Sequence, residues 1–191
     1  LTSSLDRNDK AERGLPLDLV WLAMVESQFS PKVVSRAGAG GMWQFMRGTA
    51  ERNNLAMNSY VDERFNWKKC TQASIQYLTA LRDRFNGNWP LAVTAYNMGE
   101  YGVERVVAAA GGETDLWKLF QTPASDRMKQ ETQKFYPKLV ASIIVANDPE
   151  RFGFKANAQP PEETVNVPVS GSYSLAALDK VGILDKAYTR C

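Results

Sequence analysis

The sequence predicts a mainly α-helical domain with a small C-terminal strand-and-helix extension. Three observations carry this: a nearly all-apolar segment over residues 15–29, an amphipathic stripe over 67–85, and a Pro start at 90 followed by Gly stops at 99 and 111–112.

In the first segment, LPLDLVWLAMVESQF, Pro16 suits a first helical turn and Pro31 lies just past the end. Apolar residues on nearly every side describe a helix buried in a core. The second segment places Trp67, Cys70, Ser74, Tyr77, Leu78, Leu81 and Phe85 at spacings of three, four and one, so this helix covers the core from one side. Trp89-Pro90 opens a third helix that stops near Gly99, and a further helical stretch around 103–110 is closed by Gly111-Gly112. After a polar stretch, residues 132–146 read as helix, with Pro137 tolerable only in the first turn. From Lys155 the composition shifts to a linker, KANAQPPEE. TVNVPV then reads as a short strand, and SLAALDKV as a helix capped by Ser174. The expected domains are therefore 1–154 and an extension over 155–191, too small to be stable alone.

The chain has 191 residues, a net charge of +2 and 23% charged residues, which supports no nucleic-acid partner. It contains no histidine, which removes Ser-His-Asp and Cys-His catalysis and most zinc sites. No cofactor or metal is expected, since no set of Cys or Asp residues has ligand spacing. Cys70 and Cys191 could form a disulfide with each other only; the expected reading is two unpaired thiols, Cys70 on the buried face of its helix. No apolar run approaches the roughly 18 residues of a membrane span, so a soluble monomer is expected. The chain starts at Leu1 without an initiator Met, which is compatible with a removed leader or anchor.

Glu26 is the one acidic residue preceded by a long apolar run. Burial disfavours its charged form and raises its pKa, which keeps a carboxylic acid protonated and able to donate to a leaving oxygen near neutral pH. The alternative, for Glu26 alone, is a helix-end carboxylate that reaches solvent. Asp62, Glu63, Glu51 and Glu100 stand in polar or helix-start contexts, where an acid caps a helix or stays solvated.

A dense motif begins at Glu26. Glu26-Ser27, Phe29, Pro31 and Ser35 lead into Gly38-Ala39-Gly40-Gly41-Met42-Trp43-Gln44, whose glycines allow sharp turns and close approach to a ligand. This run resembles the goose-lysozyme-like lytic transglycosylases, in which Glu-Ser, an aromatic, a Pro and a second Ser precede Gly-Ala-x-Gly-Leu-Met-Gln. Trp43 in the Met slot resembles the D type of membrane-bound murein transglycosylases. AYNMGEYGV resembles the family's second motif through Tyr96, Asn97, Gly99 and Glu100, with Tyr101-Gly102 where the family has Gly-Arg. ETQKFYPKLV resembles the third, with Tyr136 in the tyrosine slot and Pro137 in place of Val.

The resemblance implies a lysozyme-like helical domain that acts on the glycan strands of peptidoglycan in the periplasm or cell envelope. It implies that Glu26 protonates the oxygen between MurNAc and GlcNAc, with the substrate's N-acetyl group easing the developing positive charge. Glu26 then recovers a proton from the MurNAc 6-hydroxyl as a 1,6-anhydro ring closes. Ser27 and Ser35 are expected to hydrogen-bond Glu26 or the sugar substituents, and Gln44 and Asn97 to offer amides to them. Tyr96 and Tyr136 are expected to stack or hold a carbonyl, and Met42 and Trp43 to line the cleft. The extension would open toward a LysM-like module or strap onto the catalytic domain. A hydrolase of the same fold that uses water, or a silent peptidoglycan-binding domain, are the competing readings.

Overall fold

The computed structural model describes residues 15–155, all within one compact unit; the expected strand, helix and Cys191 of the extension lie outside the described residues. The first helical segment is split. A 3-10 turn, Leu17–Val20, starts from Pro16, and α1, Trp21–Ser27, follows it. Pro16 occupies the position before the first turn rather than within it. The helix stops two residues earlier than its apolar pattern suggests, because Gln28 and Phe29 adopt left-handed φ of 55° and 59°. The amides of these two residues donate to the Met24 and Ala23 carbonyls (3.0 and 3.2 Å), which satisfies two helix-end acceptors.

Helix α2, Arg47–Arg52, and a 3-10 turn, Glu63–Phe65, follow a glycine-rich loop. Neither has an apolar period in the sequence, and both are short enough to be held by their surroundings rather than by propensity. Helix α3, Trp67–Arg84, matches the amphipathic stripe, with the Asn66 side chain accepting from the Lys69 amide at its start. Cys70, Ser74, Leu78 and Leu81 on that stripe are buried. Burial pushes the unpaired Cys70 thiol up to about 12.

Helix α4, Trp89–Met98, is capped by Asn88 and ends at Gly99, whose φ of 84° also starts α5, Glu100–Ala109. Because one glycine serves as both stop and start, α5 begins three residues before its apolar pattern. The polar stretch that follows contains the short α6, Leu116–Leu119, and a 3-10 turn, Pro123–Arg127. Helix α7, Gln130–Asn147, carries Pro137 as its eighth residue, not in its first turn as expected. An interior proline costs about 3 kcal/mol. Burial of Phe135 and Leu139 on either side of it, at roughly 1.5–3 kcal/mol each, offsets that cost.

Helix α4 is the central element, packed against α3, α5 and α7, while α1 packs on α7. Leu91 to Ala95 are almost inaccessible, so α4 is buried on nearly every side. Val93 faces a cluster with Leu22, Trp43, Phe45, Cys70 and Leu139, whereas Leu91, Ala92 and Ala95 join Val103, Val106, Leu116 and Leu119. Among the described residues, β-pairing is limited to isolated bridges, and no helix is long and apolar enough to cross a membrane.

Candidate active site

A cleft of about 680 Å³ opens between the end of α1, the glycine-rich loop, α2, the end of α4 and the start of α7. Glu26 enters it from the last turn of α1. Desolvation, and after it the negative charge of Glu131, pushes the Glu26 carboxyl up to about 8. A carboxyl in that state holds its proton at neutral pH.

The loop of residues 35–45 is the frame of the cleft. Gly40 and Phe45 exchange both backbone hydrogen bonds (3.0 and 3.1 Å), and the Ser35 amide donates to the Ala39 carbonyl at 2.8 Å. The guanidinium of Arg64 fills the concave side of this turn, where Nη1 donates to the carbonyls of Gly38 (2.8 Å) and Phe45 (3.1 Å). Asp62 accepts from Nε and Nη2 of the same guanidinium, at 2.9 and 2.7 Å, so the buried charge is paired. The arginine beside it holds the Asp62 carboxyl below the usual range. Gly41 has a φ of 79°, and a Cβ placed there would lie 1.8 Å from the Arg64 carbonyl oxygen, so only glycine fits.

The loop also grips helices α1 and α4 through main-chain carbonyls. Ser27, next to Glu26, donates its hydroxyl to the Met42 carbonyl at 2.7 Å and more weakly to Ala23 at 3.2 Å. The Tyr96 hydroxyl donates to the Trp43 carbonyl at 2.8 Å. Tyr96 packs among Phe45 and Tyr77, with ring centroids 6.2 and 5.4 Å away, and burial followed by the Glu26 charge holds its phenol well above the ordinary value.

Five of the expected residues line the cleft: Glu26, Ser35, Gln44, Tyr96 and Asn97. Ser35 Oγ accepts from the Ala39 amide at 3.0 Å, which leaves its own proton to donate. Asn97 Oδ1 accepts from the Thr132 hydroxyl at 2.7 Å, so its amide hydrogens are available to a ligand. Gln44 is less free, because Nε2 donates to the carbonyl of Gly41 at 2.8 Å.

The other four take different places. Met42 and Trp43 are 3% and 2% exposed and belong to the core, not to the cleft wall. The left-handed φ of 50° at Gln44 reverses the chain there, so the side chains of Met42 and Trp43 point inward. Trp43 Nε1 donates to Thr71 Oγ1 at 2.9 Å, which satisfies the buried indole. Ser27 spends its hydroxyl on the Met42 and Ala23 carbonyls and so clamps the loop. Tyr136 packs against both core clusters and against Trp117, with ring centroids 6.1 Å apart.

The cleft contains residues that sequence reasoning missed. Glu131 and Thr132 line it from the start of α7, and their only signal was the Glu-Thr opening of the third motif. Glu100 also lines it and accepts from the Tyr77 hydroxyl at 3.3 Å. Thr49, Arg52, Arg127 and Lys129 reach the rim from elements without any sequence signature. Among the described residues, no group of three or more His, Cys, Asp or Glu side chains is placed to hold a metal ion.

The family profile described as the transglycosylase SLT domain matches residues 5–118. The chain is 33% identical over 147 residues to the membrane-bound lytic murein transglycosylase D of Escherichia coli, covering 75% of this chain and 31% of that protein. It is 35% identical over 89 residues to the peptidoglycan transglycosylase of Escherichia phage T7, covering 46% of this chain and 7% of that one. The chain thus spans under a third of the first relative's length. The X-ray structure of an inactive mutant of the lytic transglycosylase Slt from Pseudomonas aeruginosa aligns with a TM-score of 0.58 at 20% identity, covering 75% of this chain and 23% of that one, and so shares the fold. A profile spanning most of the chain, on a helical frame of this kind, shows that the chain belongs to the transglycosylase SLT domain family.

Proposed function

We propose that this domain is a peptidoglycan lytic transglycosylase of the cell envelope, acting as a monomer with Glu26 as its single acid/base. The observation that carries the reading is Glu26 itself, a carboxyl in the wall of the cleft with its pKa raised to about 8. Such a group donates a proton to the glycosidic oxygen as the C1–O bond breaks. The carboxylate left behind accepts the proton of the 6-hydroxyl as that oxygen bonds to C1, so Glu26 returns to its starting state and no water is consumed. The Asn97 side-chain amide and the Ser35 hydroxyl are donors for sugar substituents in the cleft. Tyr96 supplies a rigid wall and, through its hydroxyl, fixes the loop opposite Glu26.

A second reading has one observation in its favour: Glu131 shares the cleft with Glu26, and a hydrolase uses a second carboxylate to activate water. Glu131 is exposed and sits in no apolar frame. Digestion of purified sacculi followed by mass spectrometry separates the two readings. Products lighter by one water are expected; full-mass reducing ends would make the protein a hydrolase, and binding without release would make it a binding domain.

A further inference from the structure

At the other end of α4 from the cleft lies a second concavity of about 590 Å³. Tyr96 lines the cleft and Pro90 lines this one, so about 9 Å of helix separates the two. Its apolar walls are the rings of Trp89, Pro90 and Trp117, and its polar lining includes Asn86 and Asp115.

Trp117 is 51% exposed yet firmly held. Its amide donates to Asp115 Oδ1 at 2.9 Å, and its ring meets Phe120 edge-on at 6.0 Å and Tyr136 at 6.1 Å. An indole fixed in this way loses little conformational freedom when a ligand covers it. Asn88 braces the wall by donating to the Thr114 carbonyl at 2.9 Å and capping α4. Two polar groups are left over. The side-chain amide of Asn86 and Asp115 Oδ2 make no hydrogen bond to the described residues and face solvent, and Asn86 is presented by a left-handed turn with φ of 52°.

A flat apolar ring flanked by an amide and a carboxylate fits a pyranose, which offers a C–H face for stacking and equatorial hydroxyls at its edge. No cationic side chain lines the concavity, which disfavours a phosphate or other anion, and its mixed lining does not suit the continuous apolar face of a partner helix. We propose that this concavity is a second glycan site, in which Trp117 stacks on a sugar ring while Asn86 and Asp115 bind its hydroxyls. It takes an uncharged part of the same strand that occupies the cleft. The site raises the effective concentration of the strand at Glu26 without taking part in bond cleavage.

This inference rests on the transglycosylase reading, and the test separates the two. Trp117→Ala and Asn86→Gly, the latter suited to the left-handed turn, are compared with the parent on intact sacculi and on a short glycan fragment. For sacculi, KM should rise about fivefold or more with kcat unchanged, while turnover of the fragment stays at the parent value. Added chitotetraose should shift the Trp117 indole N–H resonance of the parent. Equal KM values on sacculi, or an equal loss on both substrates, would overturn the second site. A parent protein that releases no muropeptide but whose Trp117 resonance still responds to chitotetraose would overturn the transglycosylase reading and leave the sugar site standing.

Discussion

Glu26→Gln tests the proposed catalytic group through stability as well as activity. The folded protein holds the Glu26 proton until about pH 8, whereas the unfolded chain releases it near 4.5. Below pH 4.5 both states are protonated and the buried carboxyl carries no ionisation penalty. Between 4.5 and 8 only the unfolded chain ionises, so the parent loses stability as pH rises, and above 8 the loss is complete. Each pH step in that window is worth about 1.4 kcal/mol, which gives a ceiling of about 3 kcal/mol by pH 7 and about 5 kcal/mol above pH 8. Glutamine keeps the shape without titrating, so any packing difference it introduces is independent of pH. At roughly 2–4 °C per kcal/mol for a chain of this size, the melting temperature of the variant should gain about 6–12 °C on the parent between pH 4.5 and 7. Thermal melts at pH 4.5, 7 and 8.5 read the slope, and muropeptide release from sacculi reads the chemistry, which the variant should lack because an amide neither donates nor accepts the required proton. A difference that stays flat across pH, or a variant that still releases anhydro-muropeptides, would show that Glu26 is not the acid/base.

The remaining predictions concern the same frame. In the parent, kcat/KM should fall on the alkaline side with an apparent pKa of about 8, and Glu131→Gln should move that limb to lower pH because it removes the second cause of the shift; an unmoved limb would leave Glu131 without electrostatic influence on Glu26. Ser27→Ala should cost about 1–3 kcal/mol of stability in denaturant titration, because the Met42 carbonyl loses its 2.7 Å donor. Arg64→Ala should cost about 3–5 kcal/mol by leaving Asp62 and two loop carbonyls without their partner; a loss under 1 kcal/mol in the same titration would mean the loop holds itself. Gly41→Ala should prevent folding of the loop altogether, seen as loss of near-ultraviolet dichroism, since its Cβ has no space beside the Arg64 backbone.

The helical class, the long helix α3 and the two ends of α4 were legible in the sequence, because apolar period, Pro and Gly are local signals that neighbouring residues are enough to produce. Glu26 stood out in the same way, since a carboxyl after an unbroken apolar run has few ways to avoid burial, and the first two motifs contain the five expected site residues that line the cleft. Which way those motif residues face was settled only by tertiary packing. Met42 and Trp43 stand beside Gln44 in the chain, but two left-handed glycine-loop positions, Gly41 and Gln44, send the first two side chains into the core and the third into the cleft. The roles of Ser27 and Tyr96 depend on carbonyls 15 and 53 residues away, a relation that no local pattern encodes. Pro137 survives inside α7 because Phe135 and Leu139 are anchored by other helices. Arg64, inconspicuous in the chain, became the centre of the loop for the same reason: a buried guanidinium acquires its partners only when segments far apart in sequence close around it.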